Sequence, residues 1–292
     1  MIEEARGRIE YEERGSGPTL VLVPGSCSTG AAWRPVMKVL DGNFRFVTTS
    51  LLGYGATEER RSESDPSVLR EAEVLEAVIG RAGGHVHLVG HSFGGAVALI
   101  VTMRKRVKIA SLTVLEAPLP SLLRHCHERA HYRSFCNMTD AYFAAYRGGD
   151  REAIRMMIDF YGGEGTYASW PEKVRAYAVE TTPVNILDWA CAYDHPLTPA
   201  MLAAIDVPVS VVVGGSSHPA ICRANGLAGV SIDGATFKTI GGAAHFMIST
   251  HPGQVADVIA ANAIRGEGRS PRPGASGTTR SAKEHAVGAG RC

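Results

Sequence analysis

The feature that most constrains the fold of this chain is an alternation of short β-type runs with longer helical runs, interrupted once by a long helical stretch. Apolar, β-branched runs at 19–23, 44–48, 85–89 and 109–115 alternate with segments of helical periodicity, and a similar run returns at 207–213. Strands that are buried on both faces and joined through helices form a parallel sheet covered by helices on both sides. The sequence therefore predicts an α/β protein.

Further segments complete the predicted order of elements. Strands at 9–13 and 235–240 stand at the two ends of the alternation. Capping residues, Pro and Gly then place the helices. The predicted helices cover 31–40, 66–80 (capped by Asp65), 92–103, 219–228 and 252–264.

The interruption covers residues 118–205, where helical periodicity and Gly/Pro punctuation occur without a strand-like run. Ligands of open α/β sheets bind beyond the carboxyl ends of the strands, so a helical insertion at this point is expected to be a lid over that edge. The predicted domains are an α/β core of residues 1–117 and 206–265, a helical lid at 118–205 and a C-terminal tail at 266–292. The tail is rich in Gly, Ser, Arg and Pro, and its small apolar surface predicts disorder.

Composition excludes several classes of function. The 30 Lys and Arg residues nearly balance the 29 Asp and Glu residues, which argues against a nucleic-acid-binding protein held by phosphate contacts. No run reaches the roughly 20 apolar residues of a membrane-spanning helix, and the charged residues 1–15 lack the apolar centre of a signal peptide. We expect a cytoplasmic protein that acts on a small molecule and binds neither nucleic acid nor membranes. Its oligomeric state has no signal in the sequence.

Cysteine and histidine spacing predicts no metal site and no cofactor. His127 and His131 are four residues apart and could share one helical face, but no third ligand stands nearby. The six cysteines are scattered without a CxxC pair, which is typical of reduced thiols in a cytoplasmic protein. They are Cys27, Cys126, Cys136, Cys191, Cys222 and Cys292.

The sequence GHSFG at residues 90–94 stands between a predicted buried strand and a predicted apolar helix. This is the context of the G-x-S-x-G turn, which holds a serine in a strained conformation and projects its hydroxyl from the sheet edge. Gly90 and Gly94 are small because strand and helix backbones crowd the turn, and the amides of the new helix favour an oxyanion there. Ser92 is therefore the candidate nucleophile. The alternative is a strand-to-helix turn that merely contains a serine.

With this turn in place, residues 9–264 resemble the α/β-hydrolase superfamily, in its lid-containing branch with a serine nucleophile. The resemblance implies a mostly parallel eight-stranded sheet flanked by helices, with a helical lid inserted after the sixth strand. It also implies an oxyanion loop at 23–33, where Pro24 replaces the usual histidine of the family. By that match, the backbone N–H groups of Ser26 and Phe93 would form the oxyanion hole.

The same resemblance assigns the rest of a catalytic triad. His245, in the segment GGAAHFM, follows the last predicted strand, where the family places its base. Ser217 occupies the position where the family usually has its acid, so the acid must be sought elsewhere. Glu116 ends the strand at 109–115, a second placement used in the family, including by certain haloalkane dehalogenases. Glu116 is the predicted acid; Asp194, Asp188 and a dyad without an acid remain as alternatives.

Two neighbours of the predicted site have simpler interpretations. Cys27 is expected to be a small apolar filler and not a catalytic thiol, because no base is placed for it. His91 is expected to pack or to form a local hydrogen bond.

These residues predict a cofactor-free serine esterase that cleaves an ester, lactone or thioester through an acyl-enzyme. The predicted lid is rich in aromatic residues, which favours a small, partly apolar substrate. A serine at position 92 argues against dehalogenase and epoxide-hydrolase chemistry, since alkyl-enzyme formation needs a carboxylate nucleophile. The alternatives are C–C bond hydrolysis, acyl transfer and, because of Pro24 and Ser217, a non-catalytic ligand-binding protein on the same fold.

Overall fold

The computed structural model describes residues 1–4 and 7–268. Its strands are short and follow the predicted alternation closely. They are β1 (Ile2–Glu4), β2 (Gly7–Ile9), β3 (Glu12–Gly15), β4 (Thr19–Val23), β5 (Arg45–Thr48), β6 (Val86–His91), β7 (Ile109–Leu115), β8 (Val209–Gly214) and β9 (Thr236–Ile240).

Seven of these strands form the central sheet, in the order β3-β5-β4-β6-β7-β8-β9. Every neighbouring pair is parallel except β3 and β5, which are antiparallel. The mostly parallel α/β sheet is thus confirmed, but the prediction of eight strands is wrong. The reason lies at the N-terminal end, where β1 and β2 pair with each other, Ile2 opposite Ile9, and form a separate two-stranded sheet. The predicted strand at 9–13 is accordingly split between β2 and β3.

Helices cover both faces of the sheet. Those of the core are a 3-10 helix (Gly30–Trp33), α1 (Arg34–Val39), α2 (Val68–Arg81), α3 (Phe93–Arg104), α11 (Pro219–Ser231), α12 (Met247–Thr250) and α13 (Pro252–Glu267). Between β7 and β8 lie α4 (Pro120–His125), α5 (Arg129–Arg147), α6 (Ile154–Gly162), α7 (Thr166–Ser169), α8 (Glu172–Glu180), α9 (Thr182–Asp194) and α10 (Pro199–Ala203).

Two hydrophobic clusters, one on each side of the sheet, hold these layers together. Successive side chains of a strand point to opposite faces. In β4, Val21 and Val23 accordingly join the cluster packed with α2 and α3, whereas Leu20 and Leu22 join the one packed with α1 and α13. Strands buried on both faces explain why the sequence reads as continuous apolar runs and not as an alternation of apolar and polar residues.

Residues 118–205, all of them described, contain helices and no strand, as the sequence predicts. This helical insertion follows β7, which is the fifth strand of the central sheet along the chain, so its predicted place after a sixth strand is wrong. The shift has the same cause as the missing eighth strand, because the first strand pair stands apart from the central sheet. That the insertion acts as a lid stays a prediction.

Two helix boundaries also differ from expectation. The helix predicted at 66–80 begins at Val68, and its N-cap is Ser67, whose side chain accepts a hydrogen bond from the backbone of Leu69, not Asp65. The last helix continues to Glu267, whose carboxylate contacts His87 Nε2 at 3.0 Å, so residues 266–267 are not part of a tail. Gly268 caps this helix, and residues 269–292 of the predicted tail lie outside the described residues. Within 1–4 and 7–268 no helix is long and apolar enough to cross a membrane.

The register of the parallel strands brings their carboxyl ends to one edge. Val23 lies opposite Gly90, His91 opposite Leu115, and Gly214 opposite Ile240. The loops that leave these strands therefore meet above the sheet. All of the catalytic residues predicted from the sequence stand in these loops or directly at the strand ends.

Candidate active site

Ser92 lies in the turn between β6 and α3, with φ +54° and ψ −129°, a region that residues other than glycine rarely adopt. The flanking glycines allow this turn. A Cβ on Gly90 would lie 2.7 Å from the Cα of Gly95, and a Cβ on Gly94 would lie 2.9 Å from the carbonyl oxygen of Val23. The turn is therefore tight because strand, helix and the neighbouring loop approach one another too closely for side chains.

The loop after β4 packs directly against this turn. A Cβ on Gly25 would lie 2.7 Å from Ser92 Cβ and 3.3 Å from Ser92 Oγ. The next residue, Ser26, and the first residue of α3, Phe93, both line the cavity that Ser92 faces. Among the described residues, neither of their backbone N–H groups donates a hydrogen bond. Two amides beside the serine are thus available to an incoming oxygen atom.

His245 and Glu116 meet at the same edge. His245 Nδ1 donates a hydrogen bond to Glu116 Oε2 over 2.7 Å, and both side chains are buried. Glu116 stands directly after β7 with φ +49°, another strained position. With its proton on Nδ1, the imidazole leaves Nε2 free to accept a proton.

The second carboxylate oxygen of Glu116 is also hydrogen-bonded. Glu116 Oε1 accepts hydrogen bonds from the Gly214 backbone N–H over 2.6 Å and from the hydroxyl of Ser217. Burial acts to raise the pKa of Glu116, but the hydrogen bonds from His245, Ser217 and Gly214 outweigh it, and the pKa lies below its usual value. Glu116 is therefore a carboxylate at neutral pH. Ser217, at the usual position of the family acid, serves as a donor to it.

The other acids considered from the sequence lie elsewhere. Asp188 is buried, but its oxygens bind Ser26, Tyr54 and Arg61. Asp194 is exposed at the end of α9. Of the three candidates, Glu116 is the one whose carboxylate contacts the His245 ring.

His91 supports the loop that carries His245. Its Nε2 donates a hydrogen bond over 2.8 Å to the backbone oxygen of His245, and the two rings lie 4.7 Å apart between centroids. Burial and the neighbouring His245 lower the pKa of His91 to about 3, so the ring is neutral and a donor at physiological pH. The expected packing of His91 is observed, but its hydrogen bond is not local, because the partner is 154 residues away in sequence.

Ser92 and His245 face a common cavity of about 440 Å³ between the sheet edge and the helical insertion. Within the described residues no hydrogen bond joins the Ser92 hydroxyl to His245 Nε2, a contact that in free enzymes often tightens only when substrate binds. Most of the cavity wall is apolar. From the insertion it includes Met157, Ile158 and Trp189.

The alpha/beta hydrolase family model matches residues 20–258, which is most of the chain and includes every residue of this edge. The chain belongs to the alpha/beta hydrolase family. Haloalkane dehalogenase 2 of Mycobacterium tuberculosis is 26% identical over 114 residues, which cover 39% of this chain and 40% of the dehalogenase. More generally, the chain matches between 40% and 50% of the length of the curated relatives.

Solved structures resemble this α/β-hydrolase over nearly its whole described length. An esterase from Exiguobacterium antarcticum superposes with a TM-score of 0.71 at 16% identity, covering 88% of this chain and 96% of the esterase. A thermophilic esterase from Thermogutta terrifontis superposes with a TM-score of 0.67 at 22% identity, covering 87% and 92% of the two chains. At these identities the likeness establishes the fold alone.

The helical insertion of this α/β-hydrolase is bound to the loop after β4 through a buried charged cluster. Ser26 Oγ donates to Asp188 Oδ2 over 2.5 Å, and the hydroxyl of Tyr54 donates to the same oxygen over 2.7 Å. The Arg61 guanidinium lies 2.7 Å from Asp188 Oδ1 and 3.1 Å from Glu71 Oε1. The position of Ser26 therefore depends on a residue of α9.

Glu71 is the member of this cluster whose buried negative charge is only partly offset by Arg61. Burial raises its pKa to about 7, because the favourable effect of Arg61 is shared with Asp188, whose charge opposes ionisation of Glu71. A carboxyl group with a usual pKa of 4.5 then holds a proton in the native state that the unfolded chain has released. Its contribution to the free energy of unfolding is complete below about pH 4.5 and is lost as the pH rises towards 7.

We therefore predict that Glu71→Gln removes the loss of unfolding free energy that the wild type undergoes as the pH rises from about 4.5 towards 7. The variant should melt a few degrees above the wild type at pH 8, and the two should converge near pH 4.5, in thermal unfolding followed by circular dichroism. The exposed Glu164→Gln serves as the control and should follow the wild type at every pH. An unchanged pH dependence in Glu71→Gln would contradict the raised pKa.

Sequence reasoning missed the partners that the helical insertion supplies. Asp188 appeared only as an alternative acid, and Tyr161, whose ring lies 4.1 Å from that of His245, was one of many aromatic residues. Cys27 lines the cavity, and burial raises the pKa of its thiol to about 12, which agrees with an unreactive filler. No group of three His, Cys, Asp or Glu side chains that could hold a metal ion occurs in 1–4 and 7–268.

Proposed function

We propose that this chain is a serine hydrolase that cleaves a carboxylic ester-type bond, in an ester, lactone or thioester, through an acyl-enzyme. The observation that carries the proposal is the 2.7 Å hydrogen bond from His245 Nδ1 to Glu116, beside the strained Ser92 in the same cavity. A nucleophile, a base oriented by an acid and unused backbone donors are the parts that acyl transfer requires.

Acylation begins with attack of Ser92 Oγ on the substrate carbonyl carbon, while the hydroxyl proton moves to His245 Nε2. The resulting imidazolium is stabilised by Glu116, whose Oε2 holds the Nδ1 proton. The backbone N–H groups of Ser26 and Phe93 donate to the tetrahedral oxyanion. The intermediate collapses when His245 Nε2 returns the proton to the leaving oxygen or sulfur and the bond to the leaving group breaks.

Deacylation repeats these steps with water. His245 Nε2 removes a proton from a water molecule, the hydroxide attacks the acyl carbon, and the proton then passes to Ser92 Oγ as the acid product leaves. The same reaction steps cannot hydrolyse an alkyl halide. A serine that displaced a halide from an alkyl carbon would form an ether, which water does not hydrolyse under such conditions.

The shape and lining of the cavity favour a small, partly apolar substrate. Its volume of about 440 Å³ lies within the range of small-molecule sites, and its wall includes the indoles of Trp170 and Trp189. We also propose that the helical insertion acts as the lid, since Tyr161, Asn185 and Asp188 of the insertion form one side of the cavity.

The proposal is tested by labelling the purified protein with a fluorophosphonate probe and hydrolysing a panel of p-nitrophenyl esters, lactones and thioesters. We expect one covalent adduct per chain, located on Ser92 by peptide mass spectrometry, and loss of ester hydrolysis in step with labelling. Absence of an adduct would favour a non-catalytic binding protein. Labelling at Ser92 with turnover of diketones only, or only with an added acyl acceptor, would favour C–C hydrolysis or acyl transfer.

A further inference from the structure

Asn185 is a buried polar residue of the cavity wall that the proposed mechanism does not use. It lies on α9, one turn before Asp188, and is 2% exposed. It lines the same cavity as Ser92 and His245. Its side-chain oxygen Oδ1 is buried and has no hydrogen-bond partner.

The other buried asparagines of the described chain are fully bonded. Asn225 accepts from the Ala117 N–H and donates to the oxygens of Ala117 and Ile221. Asn262 donates to Leu112 O and accepts from Arg265. A buried amide oxygen without a partner is costly, and a ligand that donates a hydrogen bond to it would offset that cost.

A second cavity residue has the same property. The hydroxyl of Tyr161 is buried without a partner, and its ring packs on that of His245 at 4.1 Å between centroids. Burial raises the pKa of Tyr161 well above its usual value, so the group is a hydrogen-bond donor at all physiological pH values. Two polar groups without partners, on α6 and α9, therefore line one mostly apolar cavity.

The charges around the cavity favour an uncharged ligand. No Lys or Arg is among the residues that line it, so a substrate carboxylate would be buried without a counter-charge. The one carboxylate in its wall, Asp188, is paired with Arg61 and also bound by Ser26 and Tyr54, so it offers little to a substrate cation.

We infer that the site selects uncharged esters whose acyl part carries a carboxamide, and that Asn185 is the residue that recognises it. The inference rests on the proposed ester hydrolysis and names its substrate class. A carboxamide matches the asparagine side chain because each group offers one carbonyl acceptor and N–H donors, so a reciprocal pair forms whichever way the Asn185 amide is turned. The apolar wall contacts the remaining chain.

The test uses p-nitrophenyl esters of equal chain length. In the first series, the position of a secondary amide in the acyl chain is varied by one atom from one ester to the next. In the matched series the same amides are N-methylated. Two further probes have an acyl chain of methylenes only or one that ends in a carboxylate. For the best position, wild-type kcat/KM should be at least about tenfold higher for the N–H amide than for its N-methyl counterpart. The carboxylate probe should be the poorest substrate.

The variant Asn185→Leu, of nearly the same size, should reduce this ratio to about one. Its melting temperature should rise, because a polar group without partners has been removed. Asn185→Ser provides a second variant if leucine prevents folding. Met157→Leu, an apolar change in the same wall, should keep the wild-type ratio.

Each outcome bears on one of the two proposals. A wild-type ratio near one throughout the series, or an unchanged ratio in Asn185→Leu and Asn185→Ser, would overturn the role of Asn185 while ester hydrolysis stands. A lower melting temperature with an unchanged ratio would make Asn185 a structural residue. Failure of every ester in the panel would instead contradict the proposed serine hydrolase.

Discussion

Replacing Ser92 with alanine will lower kcat for ester hydrolysis about 10⁶-fold and abolish labelling by a fluorophosphonate, with no change in the circular dichroism spectrum. The hydroxyl is the atom that forms the acyl-enzyme, and nothing else in the cavity replaces it. Because Ser92 and His245 act as one unit, adding His245→Ala to this variant should lower kcat little further. The measurement is steady-state hydrolysis of the best p-nitrophenyl ester by the two single variants and the double variant.

The exposed serine of α7 supplies the control for this experiment. Ser169→Ala removes a hydroxyl that bonds only to the oxygen of Thr166, outside the cavity, and should keep wild-type kcat. Residual activity in Ser92→Ala above a few per cent, or multiplicative losses in the double variant, would mean that the serine and the histidine are not joined in one mechanism.

Replacing Glu116 with glutamine will lower kcat about 10⁴-fold while leaving KM and the fold nearly unchanged. The amide keeps the shape of the carboxylate, and its oxygen can still accept from Gly214 and Ser217. Its NH₂ group then faces His245 Nδ1, which must become an acceptor. The imidazole proton therefore moves to Nε2, the atom that has to receive the proton of Ser92.

A second carboxylate–histidine contact in the chain gives a matched control. Glu267 lies 3.0 Å from His87 at the opposite end of β6, and Glu267→Gln should keep wild-type kcat. If Glu116→Gln turned over normally, either Asp194 or no acid at all would have the role, and Asp194→Asn would be the next variant to measure. A parallel loss in both glutamine variants would point to a general effect on the fold.

Much of the architecture follows from local patterns in the sequence. Apolar runs placed the strands from β4 to β8 within about two residues, because strands buried on both faces carry the strongest local signal. The first strands were misjudged since the pairing of Ile2 with Ile9 is a contact between segments that no local pattern specifies. The cap of α2 was misplaced because Asp65 and Ser67 are both good caps on either side of Pro66.

The parts of the candidate site at strand ends could be predicted, because parallel strands bring their carboxyl ends together whatever the loops contain. Ser92, Glu116 and His245 are of this kind. The contributions of Ser217, Asp188 and Asn185 could not be predicted. A serine gives no sign that it will donate to a carboxylate 101 residues earlier, and helical periodicity in the insertion does not reveal which turn faces the cavity.

If the helical insertion acts as the proposed lid, the hydrogen bond from Ser26 to Asp188 would couple the opening of the cavity to the position of the loop after β4. An outward swing of α9 large enough to admit a bulky ester would break this bond and release the loop whose amide is proposed to hold the oxyanion. Such an enzyme would be competent for catalysis only when α9 is closed over the bound substrate. Water that entered the open cavity would then meet a displaced oxyanion loop. The buried Arg61, which is paired with Asp188, would stabilise the closed position of α9.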